Sequence, residues 1–79
     1  MSKVRIFSTP TCSYCRLTKQ FFTEHNVAYE EHDVASDLGA RQEMLTKSGQ
    51  SGVPVIFVDD QVVVGYDRER LSELLGIEA

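Results

Sequence analysis

The stretch Lys3-Val4-Arg5-Ile6-Phe7-Ser8-Thr9-Pro10-Thr11-Cys12-Ser13-Tyr14-Cys15 decides how the rest of the chain is read. Lys3 to Phe7 alternates and is rich in β-formers, which predicts a first strand. Ser8-Thr9-Pro10-Thr11 breaks it. From about Ser13 to His25 the apolar spacing turns helical, with Tyr14, Leu17 and Phe21 along one stripe and Phe22 beside it, and Asn26 offers a stop. Cys12 and Cys15 therefore fall at a strand-to-helix junction. The first N–H groups of a helix lack intrahelical partners, and the macrodipole adds partial positive charge there. Both effects favour a thiolate at Cys12, and Arg16 is a further candidate cation. Cys15, nearly one turn further in, is expected to be the more shielded sulfur. Cys12 is thus expected to attack and Cys15 to resolve.

Working outward, Val27 to Val34 reads as a second strand, made polar by Glu30, Glu31, His32 and Asp33 and so suited to a sheet edge. Ser36 or Asp37 can cap a helix from Leu38 to Ser48, with Leu38, Arg41 and Leu45 on one side and Gly49 as its stop. Val55-Ile56-Phe57-Val58 and Gln61-Val62-Val63-Val64 read as a hairpin around Asp59-Asp60. Asp67 can cap a last helix that buries Leu71, Leu74 and Leu75, and Gly76 closes it. The order is β-α-β-α-β-β-α. It predicts an α/β domain with a four-stranded mixed sheet, a right-handed parallel βαβ unit first and an antiparallel pair last.

The chain has 79 residues, enough for a single domain over residues 1–79, and two cysteines. A disulfide closing so short a loop stabilises by only about 2 kcal/mol in the loop-entropy model. The pair is a poor staple, which points to chemistry. Met1-Ser2-Lys3 runs into the first strand without the apolar core of a signal peptide, and no segment approaches a membrane span. A cytoplasmic setting is expected, where paired thiols are redox-active or metal-bound more often than structural. The net charge of −4 disfavours nucleic acid as a partner.

A metal site built from Cys12, Cys15, His25 and His32 is the competing reading of the pair. Its spacing does not fit a zinc finger. On one helix His25 sits about 15 Å along the axis from Cys15, too far for one ion. No metal ligand is assigned. His25 reads as a cation at a helix C-terminus and His32 as an edge-strand residue. Phe21, Phe22 and Phe57 read as core, and Arg68, Glu69 and Arg70 as a solvated face.

With Thr9-Pro10-Thr11-Cys12-Ser13-Tyr14-Cys15, Gly52-Val53-Pro54 before a strand, and Gly65-Tyr66-Asp67 before a helix, the chain resembles the glutaredoxin family over essentially its whole length. It looks closest to the short bacterial glutaredoxin-like proteins and redoxins. The resemblance implies a thioredoxin-like fold and a dithiol oxidoreductase that reduces protein disulfides or glutathione mixed disulfides. It implies catalytic Cys12 and Cys15, and substrate contacts from Thr11, Tyr14, Val53, Pro54, Gly65, Tyr66 and Asp67. It also implies a cis Val53–Pro54 bond, with Val53's backbone groups available to an extended substrate.

Departures from the family pattern bear on the electron donor. Ser13 replaces the usual proline, the stretch before the motif lacks a basic residue, and Val64-Gly65 stands where Gly-Gly is common. Asp67 retains the acidic position that precedes an anion-holding helix start. The expected partners are disulfide-containing proteins, with glutathione as co-substrate or a flavoprotein reductase of the thioredoxin-reductase type as donor. No bound cofactor, nucleic acid or membrane is expected, and the chain should act as a monomer. The rival of a different class is a module holding an iron–sulfur cluster between two chains through Cys12.

Overall fold

The computed structural model describes residues 3–77. Its elements are β1 (Val4–Ser8), α1 (Ser13–Glu24), β2 (Glu30–Asp33), α2 (Leu38–Ser48), β3 (Val55–Val58), β4 (Gln61–Val64) and α3 (Arg68–Leu75), in the order read from the sequence. The strands form one mixed sheet ordered β2-β1-β3-β4. β1 and β2 run parallel, with Ile6 opposite Glu31 and Ser8 opposite Asp33. β3 runs antiparallel to both β1 and β4.

Alternation along the strands sends side chains to two faces. Val4, Ile6, Ile56, Val58 and Val63 meet Phe21 and Phe22 of α1 and Leu71 of α3 on one face. Phe7, Val55 and Phe57 meet Val34, Ala40 and Met44 on the other, where α2 lies. The result is a three-layer sandwich. All four residues of β3 are buried, which is why its sequence is continuously apolar and not alternating. The charged β2 takes an edge, as its composition predicts. Asp37 and Asp67 cap α2 and α3 by accepting from Ala40 N–H and Arg70 N–H, each at 3.0 Å. Among the described residues no helix is long and apolar enough to cross a membrane.

The structure corrects three expectations. β2 is shorter than Val27–Val34, because Val27 N–H donates to the Phe22 carbonyl at 2.8 Å and Asn26, at φ 56, donates to Thr23 at 3.2 Å. These bonds close α1, and Val27 and Tyr29 then serve as packing residues on the α1 face of the core. β1 in turn reaches Ser8, whose carbonyl accepts from Val34 N–H at 2.9 Å.

The buried face of α1 is Cys15, Thr18, Phe21 and Phe22, whereas Tyr14 and Leu17 are 63% and 43% exposed. Thr18 can occupy that face because its hydroxyl donates to the Tyr14 carbonyl at 2.8 Å, leaving no orphan polar group. α2 likewise turns Ala40 and Met44 inward. Leu38 is 79% exposed at its first turn and Arg41 is exposed, so the expected Leu38–Arg41–Leu45 side is not the packed one.

Candidate active site

Strand register gathers three loops at one edge of the sheet. Phe7 lies opposite Val55, and Val55 opposite Val64. The chain therefore leaves β1, enters β3 and leaves β4 at the same edge, bringing Thr9–Cys12, Val53–Pro54 and Gly65–Asp67 together. Gly65 N–H donates to the Pro54 carbonyl at 2.8 Å and sits at φ +82, a conformation glycine adopts at little cost. The Val53–Pro54 bond is cis, as the resemblance implies. Among the described residues Val53's own N–H and C=O have no hydrogen-bond partner.

Cys12 is the N-cap of α1. Its N–H closes a turn onto the Thr9 carbonyl at 3.3 Å, and its backbone is extended, with φ −87 and ψ 113. Its sulfur accepts from Cys15 N–H at 3.1 Å, doing the work a serine or aspartate oxygen does at other caps. Cys12 is partly exposed, whereas Cys15 is wholly buried. Burial, followed by the hydrogen bond with Cys12, pushes the Cys15 thiol up to about 12; the Thr9 backbone amide and the Lys19 charge act the other way. One sulfur is thus open and bonded to a helix N–H, and the other is dry and neutral.

The remaining predicted residues surround this edge. Thr11 and Tyr14 are exposed on either side of the N-cap. Tyr66 is half-buried with its ring edge-on to Phe21, the centroids 6.4 Å apart, and the Arg68 guanidinium lies over the same ring at 5.9 Å. Arg68 remains exposed, as expected of a solvated face, while its guanidinium covers that ring. With Leu17, Gln20 and Glu24 these residues line a cleft of about 140 Å³. The Asp67 carboxylate is engaged in capping Arg70 N–H.

Three further residues lie behind the cysteines. Lys19 Nζ is 2.6 Å from a Glu31 carboxylate oxygen, and the buried Ser8 hydroxyl donates to that same oxygen at 3.3 Å. Lys19 follows Cys15 at the i+4 spacing that shares a helix face, a signal visible in the sequence. Its partnership with Glu31 needs the parallel register of β1 and β2, which is not. Lys19 is the cation whose charge bears on Cys15, and Arg16, a candidate cation for Cys12, is exposed.

The histidines pack on aromatic rings, and His32 Nε2 also accepts from Arg5 Nε at 3.3 Å. His25 is the C-cap residue of α1, its ring 4.6 Å from that of Phe21, and His32 stacks on Phe7 at 4.8 Å. Among the described residues no group of three or more His, Cys, Asp or Glu side chains gathers for a metal ion.

Comparison with known proteins agrees with this arrangement. The glutaredoxin family model matches residues 4–63. A glutaredoxin-like 8.6 kDa protein of the rubredoxin operon of Clostridium pasteurianum is 39% identical over 72 residues, covering 91% of this chain and 96% of that one. Glutaredoxin 3 of Escherichia coli strain K12 is 34% identical over 67 residues, covering 85% and 81%. Among solved structures, a mutant of the thioredoxin-like protein BC3987 superposes with a TM-score of 0.92 at 38% identity, covering 99% of this chain and all of that one. A thioredoxin-like sheet with a Cys-x-x-Cys pair at the start of its first helix, matched at this level, makes the chain a redox protein of the glutaredoxin family.

Proposed function

We propose that the chain is a dithiol disulfide reductase acting on protein disulfides or glutathione mixed disulfides. The observation that carries this reading is the asymmetry of the pair: Cys12 is open at the cap with its sulfur taking Cys15 N–H at 3.1 Å, and Cys15 is buried behind it. The Cys12 sulfur sits at the helix start within that N–H contact, and it is the sulfur a substrate can reach; as the thiolate it is the nucleophile. It attacks one sulfur of the substrate disulfide, forms a mixed disulfide, and expels the other sulfur as a thiolate. Cys15 then attacks Cys12, expels the second substrate thiolate, and leaves a Cys12–Cys15 disulfide. Two electrons have moved from the protein to the substrate, and an external thiol donor must return them.

In this reading Thr11 and Tyr14 flank the attacking sulfur, and Val53 offers its free N–H and C=O to an extended substrate strand. Gly65, Tyr66 and Asp67 form the opposite wall. The electron donor is glutathione or a thioredoxin-reductase-type flavoenzyme, and the protein works as a monomer in the cytoplasm with no bound cofactor. Oxidised protein is offered each donor separately with NADPH, glutathione being supplied with its own reductase. Turnover with either one identifies the donor. Failure of both overturns the carrier role. In a Cys15→Ser variant the substrate should be trapped as a mixed disulfide on Cys12; trapping on Cys15 in Cys12→Ser instead would reverse the two roles.

A further inference from the structure

Resolution of the mixed disulfide has a chemical obstacle that the cysteines alone do not remove. Cys15 is wholly buried, and burial disfavours its thiolate. Only the thiolate attacks. Cys12, which carries out the first step, is partly exposed and accepts from a helix N–H. A cation placed to favour ionisation of Cys15 would therefore act on the second step and spare the first.

We propose that Lys19 is that cation, and that Glu31, anchored by Ser8, tethers its ammonium group within reach of Cys15. The inference rests on the dithiol reading above and adds the residue that governs its second step. Four elements of geometry carry it. Lys19 shares a face of α1 with Cys15, one turn on. That face looks onto the side of the sheet that carries Ile6, and Ser8 points the same way by alternation along β1. Glu31 pairs with Ile6 in the parallel register and so projects to the same side. Its carboxylate then bridges Lys19 at 2.6 Å and the buried Ser8 hydroxyl at 3.3 Å.

The charges around Cys15 are few. From α1 come the Cys12 sulfur and Lys19, from β2 comes Glu31 through Lys19, and β1 contributes only the neutral Ser8. Tyr29, ahead of β2, bears on Lys19 and not on Cys15. Lys19 is held above its ordinary value, first by the Glu31 bond, so it stays protonated through the working range. Lys19 is a positioning residue: it makes no bond to substrate and acts through Cys15. The proton balance closes without another reactant. Cys15 gives up its proton, its thiolate forms the Cys12–Cys15 bond, the bond from Cys12 to substrate breaks, and the proton ends on the departing substrate thiolate.

The test is a rapid-mixing reaction of the reduced protein with dithiobis-nitrobenzoate, which releases one coloured thiolate on attack by Cys12 and a second on resolution by Cys15. Lys19→Met should slow the second release about ten-fold at pH 7 and displace its pH profile upward, with the first release within about two-fold of wild type. Lys19→Arg should restore the second release to within about three-fold, since the charge is kept. Glu31→Gln should slow it less than Lys19→Met does, because the tether is lost but the charge remains. A second release whose rate and pH profile are unchanged in Lys19→Met overturns the proposal, and a faster one in Glu31→Gln overturns the tether. No first release in the wild-type protein would instead sink the dithiol reading itself.

Discussion

Cys15 N–H donates to the Cys12 sulfur across 3.1 Å, so the exposed sulfur of the pair is also the N-cap of α1. Capping and chemistry can be separated by choice of substitution. Cys12→Ser supplies an oxygen in the capping position, whereas Cys12→Ala leaves the Cys15 N–H without that acceptor. The serine variant should be more stable than the alanine variant by about 1 kcal/mol, while neither reduces disulfides. Urea denaturation of the two variants checks this; identical midpoints would show that the sulfur contributes no capping energy.

Cys15 should make the reduced protein lose stability in alkali. Its folded value, about 12, lies above the ordinary 9.0, so its contribution is complete below the ordinary value. It is lost as pH rises from there toward 12, because the unfolded chain ionises first. One proton makes the slope about 1.4 kcal/mol per pH unit within that window. Comparing denaturant midpoints of the reduced wild type and Cys15→Ala from pH 8 to 11 isolates this residue. The alanine variant should show the shallower decline; parallel declines would remove Cys15 as the cause.

At the acid end the corresponding residue is Glu43. Two Arg5 nitrogens donate to its two carboxylate oxygens at 2.7 Å each, and Lys47 donates at 2.7 Å from one turn along α2. The Arg5 bond first, and the Lys47 bond second, hold its carboxyl down at about 2. The folded value is below the ordinary 4.5, so the stabilisation is full above 4.5 and disappears as pH falls toward 2. Both partners keep some solvent contact, which screens the pair to about 1 kcal/mol. Glu43→Gln should lose that much at pH 7 and converge on wild type near pH 2. Urea titrations at both pH values test it, and a constant gap between the proteins would refute it.

The sequence carries the element order because each element has its own local signal. Val55–Val58 is an unbroken apolar run, Asn26 and Gly49 sit where left-handed stops are needed, and Asp37 and Asp67 precede their helices as caps. The cysteine junction is legible for the same reason, since it depends only on neighbours along the chain. Which side of each helix packs is not local. Tyr14 and Leu17 look like a core stripe by spacing, but the sheet selects Cys15, Thr18 and Phe22, a choice made by a buried threonine that bonds its own helix. The Ser8–Glu31–Lys19 contact is less legible still. It joins three elements, and the strand partner at Ile6 must be known before Glu31 can be assigned to the α1 side.

Gly65 links the hairpin to the candidate site, and a single methyl group there should expose how closely the two depend on each other. Its φ of +82 is costly for any L-residue with a Cβ, although a Cβ built there meets nothing within 4 Å. The cost of Gly65→Ala is therefore one of backbone conformation and not of steric clash, about 1–2 kcal/mol. Relief of that strain would rotate the peptide that donates to the Pro54 carbonyl, and with it the Gly65–Asp67 segment proposed above to contact substrate. The variant should unfold at lower urea concentration and lose rate in substrate reduction, while Cys12, on a separate loop, alkylates with iodoacetamide as fast as in wild type. Slowed alkylation would mean that the Gly65 turn supports the Cys12 cap directly. Unchanged stability would mean that the backbone here relaxes without cost.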